Sequence, residues 1–393
     1  MKFGCLKSII LLNRSFYGLD MEKRKILYRL GGCGRDEWMY FLAKELQKHI
    51  SHIPFFHCGN TGYHFIKNRV NQENILFLNS ENQTQIKKPD LQYLKTAEEK
   101  FNLNVWDVWE LVSQRNESKR SLPSDAVLVL YEDIIKKLDY FLDQNKITDF
   151  ILTGPAASSD IIFLKIMKQK NINVIILKAS PLQERFGISK DLSNHFCKLE
   201  ENYWELKEKN STEKEKEEIL KIIKEYHHQK YKPNSVITYK KEPKLRKIKR
   251  YSKAGLEMLK RRTFPSRPVI KNLLFSGITQ KIYNNIGLFE SPKEEKFILF
   301  PLHFQPEAST LIYGKWYNNQ LNLIENLIRS IPVDHKLYVK VHNFGYGHKK
   351  IKFYNEIKKY HNVRLIGPQF NNLELIQKSS LVVTITGTAG WEG

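Results

Sequence analysis

The chain has 393 residues, with 64 Lys and Arg against 42 Asp and Glu for a net charge of +22, 41% hydrophobic residues and 12% aromatic. At roughly 150 residues per domain, this length predicts two domains or three. So apolar a composition, with 27% charged residues, excludes wholesale disorder and collagen-like or fibrous classes, and no apolar run approaches the roughly 18–20 residues of a membrane span.

The four cysteines, Cys5, Cys33, Cys58 and Cys197, lie far apart with no C-x-x-C. That spacing predicts a reducing, cytoplasmic setting, and neither a disulfide framework nor a zinc site. The start of the chain, with Lys2 and Lys7 before Ile9-Ile10-Leu11-Leu12, carries too short an apolar stretch for the roughly 7–15-residue core of a secretory signal, and Met21 is a second candidate start.

In chain order, a strand is expected over Lys25–Leu30, running into Gly31-Gly32-Cys33-Gly34-Arg35-Asp36-Glu37. That glycine loop reads either as one wall of a cleft or as a tight turn with no ligand. Residues 60–120 have weak periodicity, and their elements are left unread. Strands are predicted over Ala126–Leu130, Asp149–Thr153 and Asn173–Lys178. Between the last two, Ser159 and Asp160 stand at an N-cap ahead of apolar residues at helical spacing through Met167, which makes one βαβ unit. The Thr153–Asp160 loop either lines the same cleft or simply caps that helix.

Glu200–Glu225 is Lys/Glu-rich, with Ile219, Ile222, Ile223 and Tyr226 at helical spacing. The run Gln229–Arg262 follows, holding 13 Lys and Arg against Glu242 and Glu257 only. It has three readings: a nucleic-acid contact with Tyr231, Tyr239 and Tyr251 stacking on bases, an anionic membrane surface, or a solvated connection. With no recognised nucleic-acid motif beside it, sequence-specific nucleic acid is not expected. The domains expected are 1–199, a charged connecting region 200–290, and 291–393.

From Pro292 onward the alternation is regular: strand Phe297–Leu302, helix Gln320–Ser330, strand Lys336–His342, helix Lys349–Tyr360, strand Val363–Ile366, helix Leu373–Lys378 and strand Leu381–Thr386. The fold class predicted is α/β, with doubly wound, mostly parallel sheets and functional residues just past the strands' carboxyl ends.

Three clusters occupy such positions. His303, Gln305, Glu307, Ser309 and Thr310 form a polar loop between Pro301 and the region after Pro306; it reads as a site or as a solvated connection with a capping hydroxyl. Strand alternation puts Lys340 and His342 on one face, where a cation and an imidazole suit a phosphate, an edge-facing Lys and a structural His being equally open. Thr386-Gly387-Thr388-Ala389-Gly390-Trp391-Glu392 reads as a glycine turn opening a helix, whose amides favour an anion, with Glu392 either facing ribose hydroxyls or being an ordinary first-turn acid. The spacings are neither G-x-G-x-x-G nor a P-loop, and H-E-x-x-H, G-x-S-x-G and metal-ligand carboxylate arrays do not occur.

These three clusters, in order and spacing over roughly residues 295–392, resemble bacterial capsular polysaccharide biosynthesis proteins, which are similar to Kdo-transferase-like glycosyltransferases of GT-B type. The resemblance implies two Rossmann-like domains facing a cleft, with a nucleotide-sugar donor, CMP- or UDP-linked, held by the C-terminal domain. The acceptor, a surface polysaccharide or glycolipid, would be held by the N-terminal one. It implies Lys340 and His342 on donor phosphate, amides of Thr386, Gly387, Thr388 and Ala389 at the glycine turn, Glu392 toward ribose, and Gln305 and Glu307 near the transferred sugar. Glu307, or His303, would be the catalytic base, with no metal and no cofactor beyond the co-substrate. Asn343 follows His342 where CMP-sugar enzymes of this type often carry Pro, and the family continues past the Gly-Trp-Glu motif, so the C-terminal domain is expected to be incomplete. The alternatives are a sugar-nucleotide epimerase and a non-catalytic remnant held to a membrane assembly. The location implied is cytoplasmic, at the inner face of the plasma membrane through residues 229–262.

Overall fold

The computed structural model describes residues 23–31, 36–78, 87–115, 122–154, 158–179, 186–192, 199–208, 212–228, 282–283, 286–342 and 349–392. The basic run 229–262, most of the Gly31–Glu37 loop and Asn343 lie outside the described residues. The chain divides into two compact units, Met1–Asn210 and Ser211–Gly393.

The first unit is built on a six-stranded sheet, order β3-β2-β1-β4-β5-β6. Its strands are β1 (Arg24–Arg29), β2 (His52–Cys58), β3 (Ile75–Phe77), β4 (Asp149–Thr153), β5 (Asn173–Ala179) and β6 (Phe186–Ser189). All neighbours pair parallel except β6, which runs antiparallel to β5. Alternation along β1 sends Leu27 to one face and Ile26 and Tyr28 to the other. On the Tyr28 face pack α1 (Asp36–Leu46), through Met39, Leu42 and Leu46, and α2 (Asn60–Ile66). The Leu27 face is covered by α3 (Leu91–Phe101), α4 (Val105–Arg115), α5 (Ser124–Asn145) and α6 (Ser158–Gln169).

One expectation changes here. Ala126–Leu130 is not a strand but part of the 22-residue helix α5. Its apolar run is continuous with a buried stripe at Val127, Leu130, Ile134, Leu138 and Leu142, so helical spacing over many residues overrides a locally strand-like composition. Within 60–120, where weak periodicity left the elements unread, the described residues form α2, β3, α3 and α4. Asp90 caps α3 by accepting the Tyr93 N–H at 2.9 Å, and Asn102 closes it in the left-handed region at φ 47°. The Lys/Glu-rich stretch forms α7 (Leu199–Glu208) and α8 (Glu213–His228).

The second unit is a four-stranded parallel sheet, order β10-β7-β8-β9, from β7 (Phe297–Pro301), β8 (Lys336–Lys340), β9 (Val363–Ile366) and β10 (Leu381–Val382). One face buries Phe300, Leu302, Val339 and Val341 under α9 (Gln320–Ser330) and α10 (Ile351–Lys358). The other buries Phe297, Leu299 and Tyr338 against α11 (Asn372–Lys378) and Ala389 of the short α12 (Ala389–Glu392). Both units are therefore doubly wound α/β layers. In the second, β7 leads rightward through β8 and β9 before the chain returns to β10 on its other side, so the strand order reverses between β7 and β10. The loops that follow these two strands diverge there and open a crevice. Among the described residues no helix is long and apolar enough to cross a membrane.

Candidate functional site

The loops after β7 and β10 are joined by one imidazole. His303 Nε2 accepts the Thr386 backbone N–H at 3.1 Å and lies 3.2 Å from Thr384 Oγ1. Thr384 Oγ1 in turn accepts the Gly387 N–H at 2.9 Å, a side-chain-closed turn of the kind Thr favours. β10 ends at Val382 rather than at Thr386, and beyond it the Thr386 and Gly387 amides are turned onto His303 and Thr384. Gly387 has no room for a side chain, since a Cβ there would stand 2.7 Å from Thr384 Oγ1 and 3.2 Å from His303 Nε2.

The backbone of His303 is pinned from α9. Its N–H donates to Gln320 Oε1 at 2.8 Å and its carbonyl accepts from Gln320 Nε2 at 3.1 Å, and Gln320 is buried. Burial first, and the neighbouring charge of His342 second, push the His303 pKa down to about 4, against a small opposing pull from the Pro301 carbonyl. The ring is therefore neutral at physiological pH. A backbone N–H can only donate, so Nε2 is the acceptor nitrogen. Its lone pair already serves the turn.

Lys340 ends β8 directly beside Pro301 of β7. It is 5% exposed, and its one hydrogen bond within the described residues is a long 3.5 Å contact from Nζ to the Val341 carbonyl. Burial lowers its pKa to about 8. Alternation had placed Lys340 and His342 on a single face; β8 ends at Lys340, Val341 still falls on the Val339 side, and it is His342 that leaves the pattern. Lys340 continues the Tyr338 side of the sheet. His342 instead lines a solvent-open cleft of about 310 Å³ together with His303, Gln305, Gln320, Lys349 and the rings of Phe304 and Phe353. The two remain close enough for Lys340 to depress the His342 pKa after burial has done most of that work. His342 also stacks on Phe304, with ring centroids 6.1 Å apart.

The remaining expected residues fall in three groups. Gln305 faces the cleft with both ends of its amide engaged, donating to Asn318 and accepting from Lys349. Glu307 is exposed and takes a 3.3 Å hydrogen bond from Ser309, at the start of the π-helical turn Ser309–Tyr313; it shares no hydrogen bond with His303, Lys340 or His342. At the glycine turn, the Thr386 and Gly387 amides are consumed internally, which leaves those of Thr388 and Ala389 without an acceptor among the described residues. The Ala389 side chain is core, and Glu392 is half-buried on α12.

Sequence reasoning missed Gln320 and Lys349. A Gln at a helix start and a Lys in a polar loop carry no pattern; only their burial against this cleft marks them. No group of three or more metal-ligating side chains occurs among the described residues. The assembly is thus rich in cations and hydrogen-bond donors past the carboxyl ends of β7 and β8, and its chemistry suits an anion with a flat or apolar neighbour group.

Residues 185–393 match the family described as capsule polysaccharide biosynthesis protein. None of the curated proteins matches the chain. Among solved structures, UDP-GlcNAc 2-epimerase from Neisseria meningitidis bound to UDP-GlcNAc is similar at 14% identity and TM-score 0.23, over 92% of this chain and 77% of that one. The MnaA–UDP structure from S. aureus is similar at 12% identity and TM-score 0.24, over 93% and 75%. Scores of this size carry no function across.

Proposed function

The chain belongs to the capsule polysaccharide biosynthesis protein family, which matches over half its length, and from that premise we propose that it is a glycosyltransferase. The reading is that it moves a sugar from a nucleotide-sugar donor to a surface polysaccharide or its lipid-linked precursor. The observation that carries this is Lys340, a buried ammonium at a strand's carboxyl end with no carboxylate paired to it among the described residues. A buried charge without a partner is costly, and a bound phosphate removes the cost.

In this reading the donor phosphate sits against Lys340, with His342 and the Thr388 and Ala389 amides nearby. As the anomeric carbon–oxygen bond breaks, the electron pair leaves on the phosphate oxygen, where the ammonium stabilises it. The acceptor hydroxyl forms the new bond to the anomeric carbon and gives its proton to Glu307, whose exposed carboxylate is open to an incoming acceptor. His303 serves the glycine turn, since its Nε2 is committed to Thr386. Glu392 reaches toward ribose.

Incubating the purified full chain with a panel of nucleotide sugars, with and without polysaccharide acceptor, tests the reading. Acceptor-dependent release of nucleotide is expected, and Glu307→Gln is expected to lower kcat by about 10²–10⁴-fold with little change in KM. Turnover that ignores the acceptor would instead identify an epimerase, and no turnover with any donor would remove the proposal.

A further inference from the structure

The cleft holds a second cation that the reading above leaves unused. Lys349 Nζ donates to Gln305 Oε1 at 2.9 Å and stands 5.0 Å from the centre of the Phe353 ring. Gln305 cannot turn away, because its Nε2 donates to the Asn318 carbonyl at 2.6 Å and to Asn318 Oδ1 at 2.5 Å. The amide is therefore held with its oxygen toward the ammonium. That oxygen is neutral, and no carboxylate pairs with Lys349 among the described residues. Burial alone lowers the pKa of this Lys. Around it the cleft offers the His342 and His303 imidazoles and the Gln320 amide, and not one acid.

Lys349 and Lys340 address different places. Val341, Phe353 and Tyr354, beside Lys349 in the cleft, belong to the α9/α10 side of the sheet, whereas Lys340 follows Tyr338 toward Ala389. His342 stands where the two sides meet, lining the cleft and feeling the charge of Lys340. Two uncompensated cations on two sides of one strand end are matched by a ligand with two oxyanions rather than one.

We infer that Lys349, oriented by Gln305 and accompanied by His342, forms a second oxyanion subsite. It takes the distal phosphate of a nucleoside diphosphate or the carboxylate of an acidic sugar while Lys340 takes the first phosphate. The identity of the ligand rests on the nucleotide-sugar reading above; the anion subsite rests on the cleft alone.

Titration calorimetry on the full chain separates the two. The probes are inorganic pyrophosphate, UMP, UDP, UDP-glucose and UDP-glucuronate, applied to wild type, Lys349→Met and Lys349→Arg. For a phosphate subsite, UDP binds wild type at least tenfold more tightly than UMP, and Lys349→Met erases that ratio while leaving UMP within about twofold. Lys349→Arg keeps it, which also shows that the position tolerates change without unfolding. For a carboxylate subsite, the UDP-to-UMP ratio survives in Lys349→Met and the preference for UDP-glucuronate over UDP-glucose is what disappears. Equal loss for every probe, or no loss for any, overturns the proposal and leaves the nucleotide-sugar reading standing. Lys349-dependent pyrophosphate binding with no nucleotide bound upholds the subsite and removes the UDP-linked form of that reading, and a wild type that binds none of the probes removes the subsite and that form together.

Discussion

Both sheets end a central strand in a cation, and the two cations are treated in opposite ways. In the N-terminal unit Arg29 closes β1, and its Nε donates to Asp160 Oδ1 at 2.7 Å, the two side chains being 15% and 6% exposed. The nearby His57 is kept neutral, its pKa pushed to about 3 by burial and then by the Arg29 charge, with its ring stacked on Phe163 at 4.4 Å. In the C-terminal unit Lys340 closes β8 and, among the described residues, has only the Val341 carbonyl at 3.5 Å. The same position in the same kind of layer is thus neutralised from within in one unit and left for something else in the other. Holding Lys340 at a pKa of about 8 instead of 10.5 corresponds to roughly 3 kcal/mol of stability forgone at neutral pH. A fold keeps such a deficit where a ligand removes it.

Exchanging each cation for an uncharged side chain of similar length should therefore give opposite results. Lys340→Met is expected to cut nucleotide-sugar turnover by about 10²–10³-fold while raising the thermal midpoint, since a solitary buried charge is replaced by a thioether, a gain of roughly 1–3 kcal/mol. Arg29→Met is expected to lower stability by about 3–5 kcal/mol, because Asp160 stays buried without its guanidinium, and to leave nucleotide binding to the C-terminal unit unchanged. Denaturant melts alongside turnover assays check both. If Lys340→Met is the destabilised one, the comparison between the two edges is mistaken.

Long periodic elements of the second unit could be read from residues alone. The helix Gln320–Ser330 and the strand Val363–Ile366 occur with the bounds expected, because an amphipathic stripe between capping and turn residues leaves little choice. Ala126–Leu130 failed because five apolar residues fit a strand as well as one face of a helix, and only the stripe continuing to Leu142 decides. At the site, sequence located the loops but not the partnerships. His303 and His342 stand after strands and Lys340 closes one. That Thr384 locks Gly387, that Gln320 pins His303, and that Lys349 is half-buried are tertiary facts, created by segments tens of residues apart and invisible to local pattern.

A smaller effect is expected where that lock is disturbed without touching a charge. In Gly387→Ala the new methyl meets Thr384 Oγ1 and the His303 ring at sub-contact distances, so the turn must open. Overpacking of this kind costs about 1–3 kcal/mol. Because the Thr388 and Ala389 amides move with the turn, KM for the donor should rise several-fold more than kcat falls. A KM unchanged from wild type would show that these amides do not meet the donor.

The finest discrimination comes from pH. The pKa of Lys340 is lower in the folded chain than in the unfolded one, so between about 8 and 10.5 the unfolded chain binds the extra proton and stability rises with pH, at most by about 1.4 kcal/mol per unit. Below pH 8 both forms are protonated and the full deficit is present. Subtracting the Lys340→Met melts from those of wild type at pH 8 and pH 9 isolates the one group, and a gain of about 1 kcal/mol is expected for wild type over that step. Adding a saturating nucleotide sugar should flatten the slope, because a phosphate beside Nζ favours the charged ammonium and returns its pKa toward the unfolded value. A slope that survives saturation would place the phosphate somewhere other than Lys340, and with it would fall the contrast between an edge neutralised by its own carboxylate and one neutralised by its ligand.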